Sequence, residues 1–265
     1  MTTSTIVHGG AAARTAAFRA AYRAQIAPLY NGLGHVLLIY LIGGAALWYC
    51  IQQIHRPTWV EWLIVPVTVV GANIFEWFFH SQIMHRPRPG LMGIYKRHTL
   101  THHQFFTESE PFHDTTRDYR VVFFPPYALI AFLVMAAGLA YAVATIWSSN
   151  AAWLLVCASA GMYLNYEFFH WCCHVRDDRL IRHLPFVSTI RRHHIAHHNT
   201  SLMMHKNMNL TYPFADWLFG TSDLDRGLLG HLFNGYSTKY VKPDLPKARA
   251  NVDWPSFHAV SASGE

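Results

Sequence analysis

Four histidines fall within six residues in the stretch Arg191-Arg192-His193-His194-Ile195-Ala196-His197-His198-Asn199. Three further clusters precede it: His80 with His85, His98 with His102 and His103, and His170 with His174. On a helix, residues four apart share a face because each residue turns the chain by about 100°. His170 with His174, His98 with His102, and His194 with His198 meet that condition, and His197 lies about 60° from His194. His80 and His85 are five apart, roughly 140° around a regular helix, so the helix is expected to end or loosen between them.

Histidine gathered in this way points to metal. Ten ligands, His80, His85, His98, His102, His103, His170, His174, His194, His197 and His198, are too many for one ion and suit two. Imidazole binds zinc, copper, iron or nickel, so spacing does not name the element. A ligating imidazole normally donates its other ring N–H to a carboxylate or carbonyl, which fixes its orientation. Glu76, Glu167, Asp114, Asp177, Asp178 and Asp216 are the carboxylates placed to do this. His113, His183, His193 and His205 are possible further ligands, and His193 to His197 is as good an i,i+4 pair as His194 to His198. Isolated histidines such as His35, His55 and His231 are read as structural.

The elements that must position these residues are membrane helices. Of the 265 residues, 52% are hydrophobic and only 14% charged, a balance that favours a membrane protein. Apolar runs occur near 34–54, 59–79, 121–147 and 150–172, each close to the roughly 20 residues that cross a bilayer. Pro66 and the Pro125-Pro126 pair would break a helix interior, so the third span is expected to start after Pro126 or to enter through a bend. The second and fourth runs close on parallel sequences, Glu76-Trp77-Phe78-Phe79-His80 and Glu167-Phe168-Phe169-His170. A carboxylate one turn before a histidine is costly in lipid unless it has a partner.

The connections at 55–58 and 148–150 only turn the chain, and twenty of the 21 Lys and Arg residues lie on the opposite side from them. By the positive-inside rule that side is cytoplasmic, carrying both termini and every histidine cluster. The net charge of +6 is therefore explained by topology, and no nucleic-acid-binding signature accompanies it. The four cysteines form no CxxC pair and are read as reduced thiols.

The expected fold is all-α: a four-transmembrane-helix bundle with a cytoplasmic helical cap carrying a dimetal histidine site. Residues 1–33, with Arg14, Arg19 and Arg23 among alanines, are expected to form an amphipathic helix on the membrane surface. Residues 34–172 hold the four spans with a cytoplasmic loop at 80–120, residues 173–245 form the cap, and residues 246–265 a disordered tail.

The pattern His80-x4-His85, His98-x3-His102-His103, His170-x3-His174 and His194-x2-His197-His198, placed after spans two and four, resembles the fatty acid hydroxylase/sterol desaturase superfamily of integral membrane non-haem di-iron proteins. Asn207-Met208-Asn209 followed by Asp216-Trp217-Leu218-Phe219-Gly220-Thr221 resembles that family's Asn-aromatic-Gly stretch and its closing Asp-x-Leu-Phe-Gly-Thr, and marks Asn207 and Asp216 as supporting residues. The resemblance runs from about 60 to 221. It departs from the family in the triple histidine of the second cluster and in Asn209, where glycine is usual.

The resemblance implies two iron ions, replaceable by a metal such as zinc on purification, with O2 as co-substrate. It implies hydroxylation or desaturation of an unactivated C–H position of a lipid-like substrate. Aromatic walls from Phe75, Phe78, Phe79, Phe168 and Phe169 would exclude water. No GxGxxG or haem-attachment motif is present, so electrons are expected from an external ferredoxin or cytochrome. The competing readings are a related histidine-box desaturase or alkane hydroxylase, a histidine-ligated metal transporter or membrane electron-transfer protein, and a membrane zinc hydrolase. Ligands inside the spans would mark the transporter. A single metal centre also makes a geometric demand: His198 must lie within about a helix diameter, ~10 Å, of the His98–His103 cluster.

Overall fold

The computed structural model describes residues 3–247, and among them the regular structure is helical, apart from one isolated bridge between Leu224 and Val241. Helix α1 spans Thr3–Ala24 and α2 Gly32–Gln52, the latter opened by Asn31, whose Oδ1 accepts the Gly34 N–H at 2.9 Å. A short α3, Trp59–Trp62, starts with a capping box between Thr58 and Glu61. It leads into α4, Ile64–Phe79, where Pro66 falls in the first turn and its missing N–H costs no helical bond. The chain then passes through α5, Met92–Tyr95, α6, His103–Phe105, and α7, Tyr119–Val122. Helix α8, Pro126–Ile146, begins on the second proline of its pair, and α9 runs Ser149–His174. Three short helices follow: α10, Val187–His197, α11, Phe214–Leu218, and α12, Leu228–Leu232.

Three helical stretches are long and apolar enough to cross a membrane: Gly32–Gln52, Trp59–Met84 and Thr116–Ile146. The 21 residues of the first rise about 31 Å at 1.5 Å each, the thickness of a bilayer core. All three stretches turn large apolar side chains outward, among them Leu41, Val67, Val134 and Ile146. The expected fourth span differs in kind. Helix α9 has 26 residues, but Ser159, Glu167 and His170 are among its buried positions, and it packs against α2, α4, α8 and α10. A helix wrapped by others can carry polar groups that a lipid-facing helix cannot. Gly43 of α2 lets it approach closely, since a Cβ there would come within 2.6 Å of the Leu164 side chain.

Helices α10 and α11 pack on α9 and α4 respectively, at the histidine-bearing ends of both. Helix α1 is laid across the loop before α7, where two of its three arginines find partners. Arg19 is buried, donating to the Phe105 and Glu110 carbonyls and pairing with Asp114, while Arg23 pairs with Asp114 and Asp118 at 2.7 Å. The tail expected from 246 onward lies outside the described residues from 248.

Candidate metal centre

Two π-helical turns set the first half of the centre. Helix α4 continues into a π turn over His80–Met84, closed by the His85 N–H on the His80 carbonyl at 3.1 Å. A second π turn over Lys96–His102 follows α5 and is closed by the His103 N–H on the His98 carbonyl. In a π turn residues five apart come onto one face, and such turns concentrate at functional sites. The loosening expected between His80 and His85 is therefore a change of helix type. The same change re-pairs the second cluster: His98 shares a site with His103, not with His102 as i,i+4 spacing had it.

The imidazoles collect into two groups. His80, His85, His98, His103 and His197 form one, and His102, His174, His194 and His198 the other, with the ligand atoms in each within 4.8 Å of one another. His170 stands beside the second group, its Nε2 3.3 Å from that of His102. The groups adjoin, since the rings of His103 and His198 stack at 4.4 Å. His198 Nε2 lies 3.2 Å from His102 Nε2, which meets the demand that a single metal centre makes. Helix α10 feeds both groups, His197 entering the first and His194 and His198 the second.

Whether these residues suit metal ions is decided by where their protons are. The Nδ1 atoms of His80, His102, His174, His197 and His198 face the carbonyls of Met208, Val121, Pro111, Lys206 and Phe106. A carbonyl only accepts, so each Nδ1 carries the proton and each Nε2 a bare lone pair. His85 follows by one more step. The Thr99 hydroxyl donates to the Met84 carbonyl at 2.7 Å and so accepts from His85 Nδ1 at 3.3 Å. The Nε2 contacts His80–His85 at 3.1 Å, His85–His197 at 2.9 Å and His102–His198 at 3.2 Å thus set two unprotonated nitrogens face to face. Lone pairs converging in this way repel unless a cation lies among them, and the chemistry of the donor set fits a metal ion in each group.

A second proton on these rings is opposed as well. Burial pushes His85 down to about 2 and holds His98, His102, His103, His194, His197 and His198 well below the usual histidine range. Neutral imidazole is the metal-binding form.

The carboxylates expected to orient imidazoles do other work. Glu76 accepts the backbone N–H groups of Leu210 and Thr211 and the Thr211 hydroxyl. It thereby anchors the segment whose Met208 carbonyl holds His80. Glu167 accepts the Phe124 N–H at 3.1 Å. Asp216 accepts from His193 Nε2 at 2.9 Å and from the Met208 and Asn209 N–H groups. Burial alone would push its carboxyl up, but His193 and these donors hold it below the usual range. Asn207, at a positive φ of 58°, donates to the His193 carbonyl and accepts the Asp223 N–H. Asp114 pairs with arginines, Asp177 with Arg179, and Asp178 accepts from Tyr236.

The four possible further ligands stay outside both groups. His193 points away from them to Asp216, because its neighbour His194 takes the inward face of α10. His113 sits edge-on to Tyr119, and His183 and His205 are exposed. His35, read as structural, bonds the Phe124 carbonyl, and His231 that of Gly227. Residues that sequence reasoning missed are Thr99 and the five carbonyls. Two buried arginines also matter, Arg192 in a bidentate pair with Asp223 and Arg191 on the Cys172 and Val175 carbonyls, both holding α10 in place.

An apolar cavity of about 430 Å³ reaches the histidines from α4, α8 and α9, within the usual size of a small-molecule site. His80, His98, His102 and His170 form its floor, and Phe75, Phe79, Phe123, Phe124 and Phe132 supply aromatic walls. Of the five expected wall residues, Phe75 and Phe79 take part. Phe78 is turned outward, while Phe168 and Phe169 pack on Trp171 and Tyr212. The outward exposure of Phe75, Tyr127 and Met135 puts the opening between α4 and α8. No protein-family model, curated protein or solved structure matches the chain.

Proposed function

We propose that the chain is an O2-dependent membrane oxygenase of the fatty acid hydroxylase/sterol desaturase superfamily, holding two irons and hydroxylating or desaturating an unactivated C–H position of a lipid-like substrate. The observation that carries this reading is the convergence of unprotonated Nε2 atoms in two adjoining groups, at the floor of an apolar cavity that opens between apolar helices. When bound, a pair of redox-active irons supplies the O2 activation that no side chain can.

The protein's own part is binding, orientation and exclusion of water. Backbone carbonyls and Thr99 fix six of the rings, those of His80, His85, His102, His174, His197 and His198, so that each turns its lone pair toward the place of the ion. The phenylalanine walls admit an apolar chain laterally from lipid and keep water from the C–H bond. His80, His98, His102 and His170 belong to both the histidine cluster and the cavity floor, so the carbon that reacts rests against them.

In this reading α9 is the fourth span and α10–α12 cap the cytoplasmic face, as the distribution of Lys and Arg supports. Residues 173–245 complete the centre by delivering α10. Electrons come from a separate ferredoxin or cytochrome that meets the basic cytoplasmic face. A transporter would need ligands along the spans, whereas these stand at the span ends.

Mass spectrometry of lipid extracts under 18O2, from cells expressing wild type or His197→Ala, tests the reading. A product with one 18O indicates hydroxylation and a loss of two hydrogens indicates desaturation. Identical lipids in the two strains would sink it.

A further inference from the structure

Away from its histidine floor the cavity is lined mainly by apolar side chains. Arg97, immediately before the ligand His98, is the only Lys or Arg among the residues that line it. One nitrogen of its guanidinium, Nη2, donates to the Arg120 carbonyl at 2.5 Å and to the Phe123 carbonyl at 2.8 Å. These two bonds use both Nη2 hydrogens and pin the plane of the group. Its Nε–H and both Nη1 hydrogens have no partner among the described residues, and a planar guanidinium edge suits an oxyanion.

A second feature lies beside it. Helix α8 starts at Pro126 after Pro125, two residues beyond Phe124, and no side chain caps it. Pro125, Tyr127 and Ala128 from this helix start line the same cavity. The amino end of a 21-residue helix carries partial positive charge that favours an anion. The only Asp or Glu lining the cavity, Glu76, already accepts three bonds from Leu210 and Thr211.

We propose that Arg97, helped by the start of α8, binds the anionic head of an amphiphilic substrate, a carboxylate or a phosphate, while its apolar chain occupies the phenylalanine-walled cavity. Because Arg97 adjoins His98 in the same π turn, the carbons delivered to the histidine floor are those nearer the head than the tail. A neutral polycyclic lipid would leave the guanidinium edge without a partner. The proposal rests on the cavity being the substrate site of the function proposed above.

The test is calorimetric binding to the purified full chain in a non-ionic detergent at about pH 8, where a carboxylate is ionised. The probes are an alkyl carboxylate, an alkyl phosphate and an alkyl alcohol of one chain length. A charge-assisted hydrogen bond predicts that wild type binds an anionic probe roughly 10- to 100-fold more tightly than the alcohol. Arg97→Gln should remove that preference while leaving alcohol binding and metal content unchanged, and Arg97→Lys should keep part of it. A gain confined to carboxylate or to phosphate supports the proposal and names the head. Equal binding of the three probes by wild type overturns it, even if Arg97→Gln does not fold, and so does an anion preference that survives Arg97→Gln. Loss of 18O incorporation with the preference intact would count against the oxygenase and not against this site.

Discussion

The two histidine groups reach similar ends by different local means. The first draws four of its five members from two π turns, His80 with His85 and His98 with His103, each pair five residues apart. The second takes its close pair, His194 and His198, from ordinary α-helix and adds His102 and His174 from separate elements. A π turn lets one short segment present two imidazoles and then release the chain. An α-helical pair needs no such local change but depends on packing to bring its partners. Both groups should therefore depend on what seats α10 against α9, and the first should in addition be sensitive to what steadies its turns.

The sharpest test of this division is ligand removal. His197→Ala should empty the first group and His198→Ala the second, so each purified variant should keep about half the metal of wild type by elemental analysis. Loss of both ions from either variant would mean that the groups act as one site.

Acid should come next in effect. Burial lowers His85, His98, His102, His103, His194, His197 and His198 in the folded protein, so below about pH 6.5 the unfolded chain binds more protons. Stability from these groups is thus fully present above that pH and is lost as pH falls toward their lowered values. Metal release runs the same way, because protons compete for Nε2. A pH titration with a metal indicator should show one steep release involving several protons. Two separated steps would break the equivalence of the groups.

Asp223→Asn leaves Arg192 buried without its charge partner and should destabilise the fold by about 3–5 kcal/mol, seen as a lower thermal midpoint. Because α10 serves both groups, both should lose metal together. The smallest effect should come from Thr99→Val, which removes the hydroxyl between His85 and the Met84 carbonyl while keeping the side-chain shape. Metal retention by the first group should weaken about tenfold in a chelator titration, with the second group unchanged.

Much of this site was readable from residue types and spacing. All ten expected ligands lie in the two groups or, for His170, beside one, because imidazoles set at the ends of apolar helices have few other uses. The pairing within the clusters was less legible. His98 and His103 show the same five-residue separation that marked the loosened turn at His80 and His85, yet the i,i+4 neighbour His102 drew the assignment. Glu76 and Asp216 were expected to orient ligating imidazoles, but they accept mainly from backbone N–H groups of 208–211, and the one imidazole among their partners is His193, outside both groups.

By itself, then, the sequence determined the inventory of clustered histidines and the apolar runs beside them, although it counted four spans where three helical stretches are long and apolar enough to cross a membrane. These depend on side-chain chemistry and on length, which every residue states locally. Only the tertiary structure decided which histidine joins which group, which ring nitrogen keeps its proton, and that α9 is wrapped by the other helices. The reason is physical: the groups that orient the rings are carbonyls, identical at every residue, and only the folded path of the chain selects Met208, Val121, Pro111, Lys206 and Phe106 from all the others.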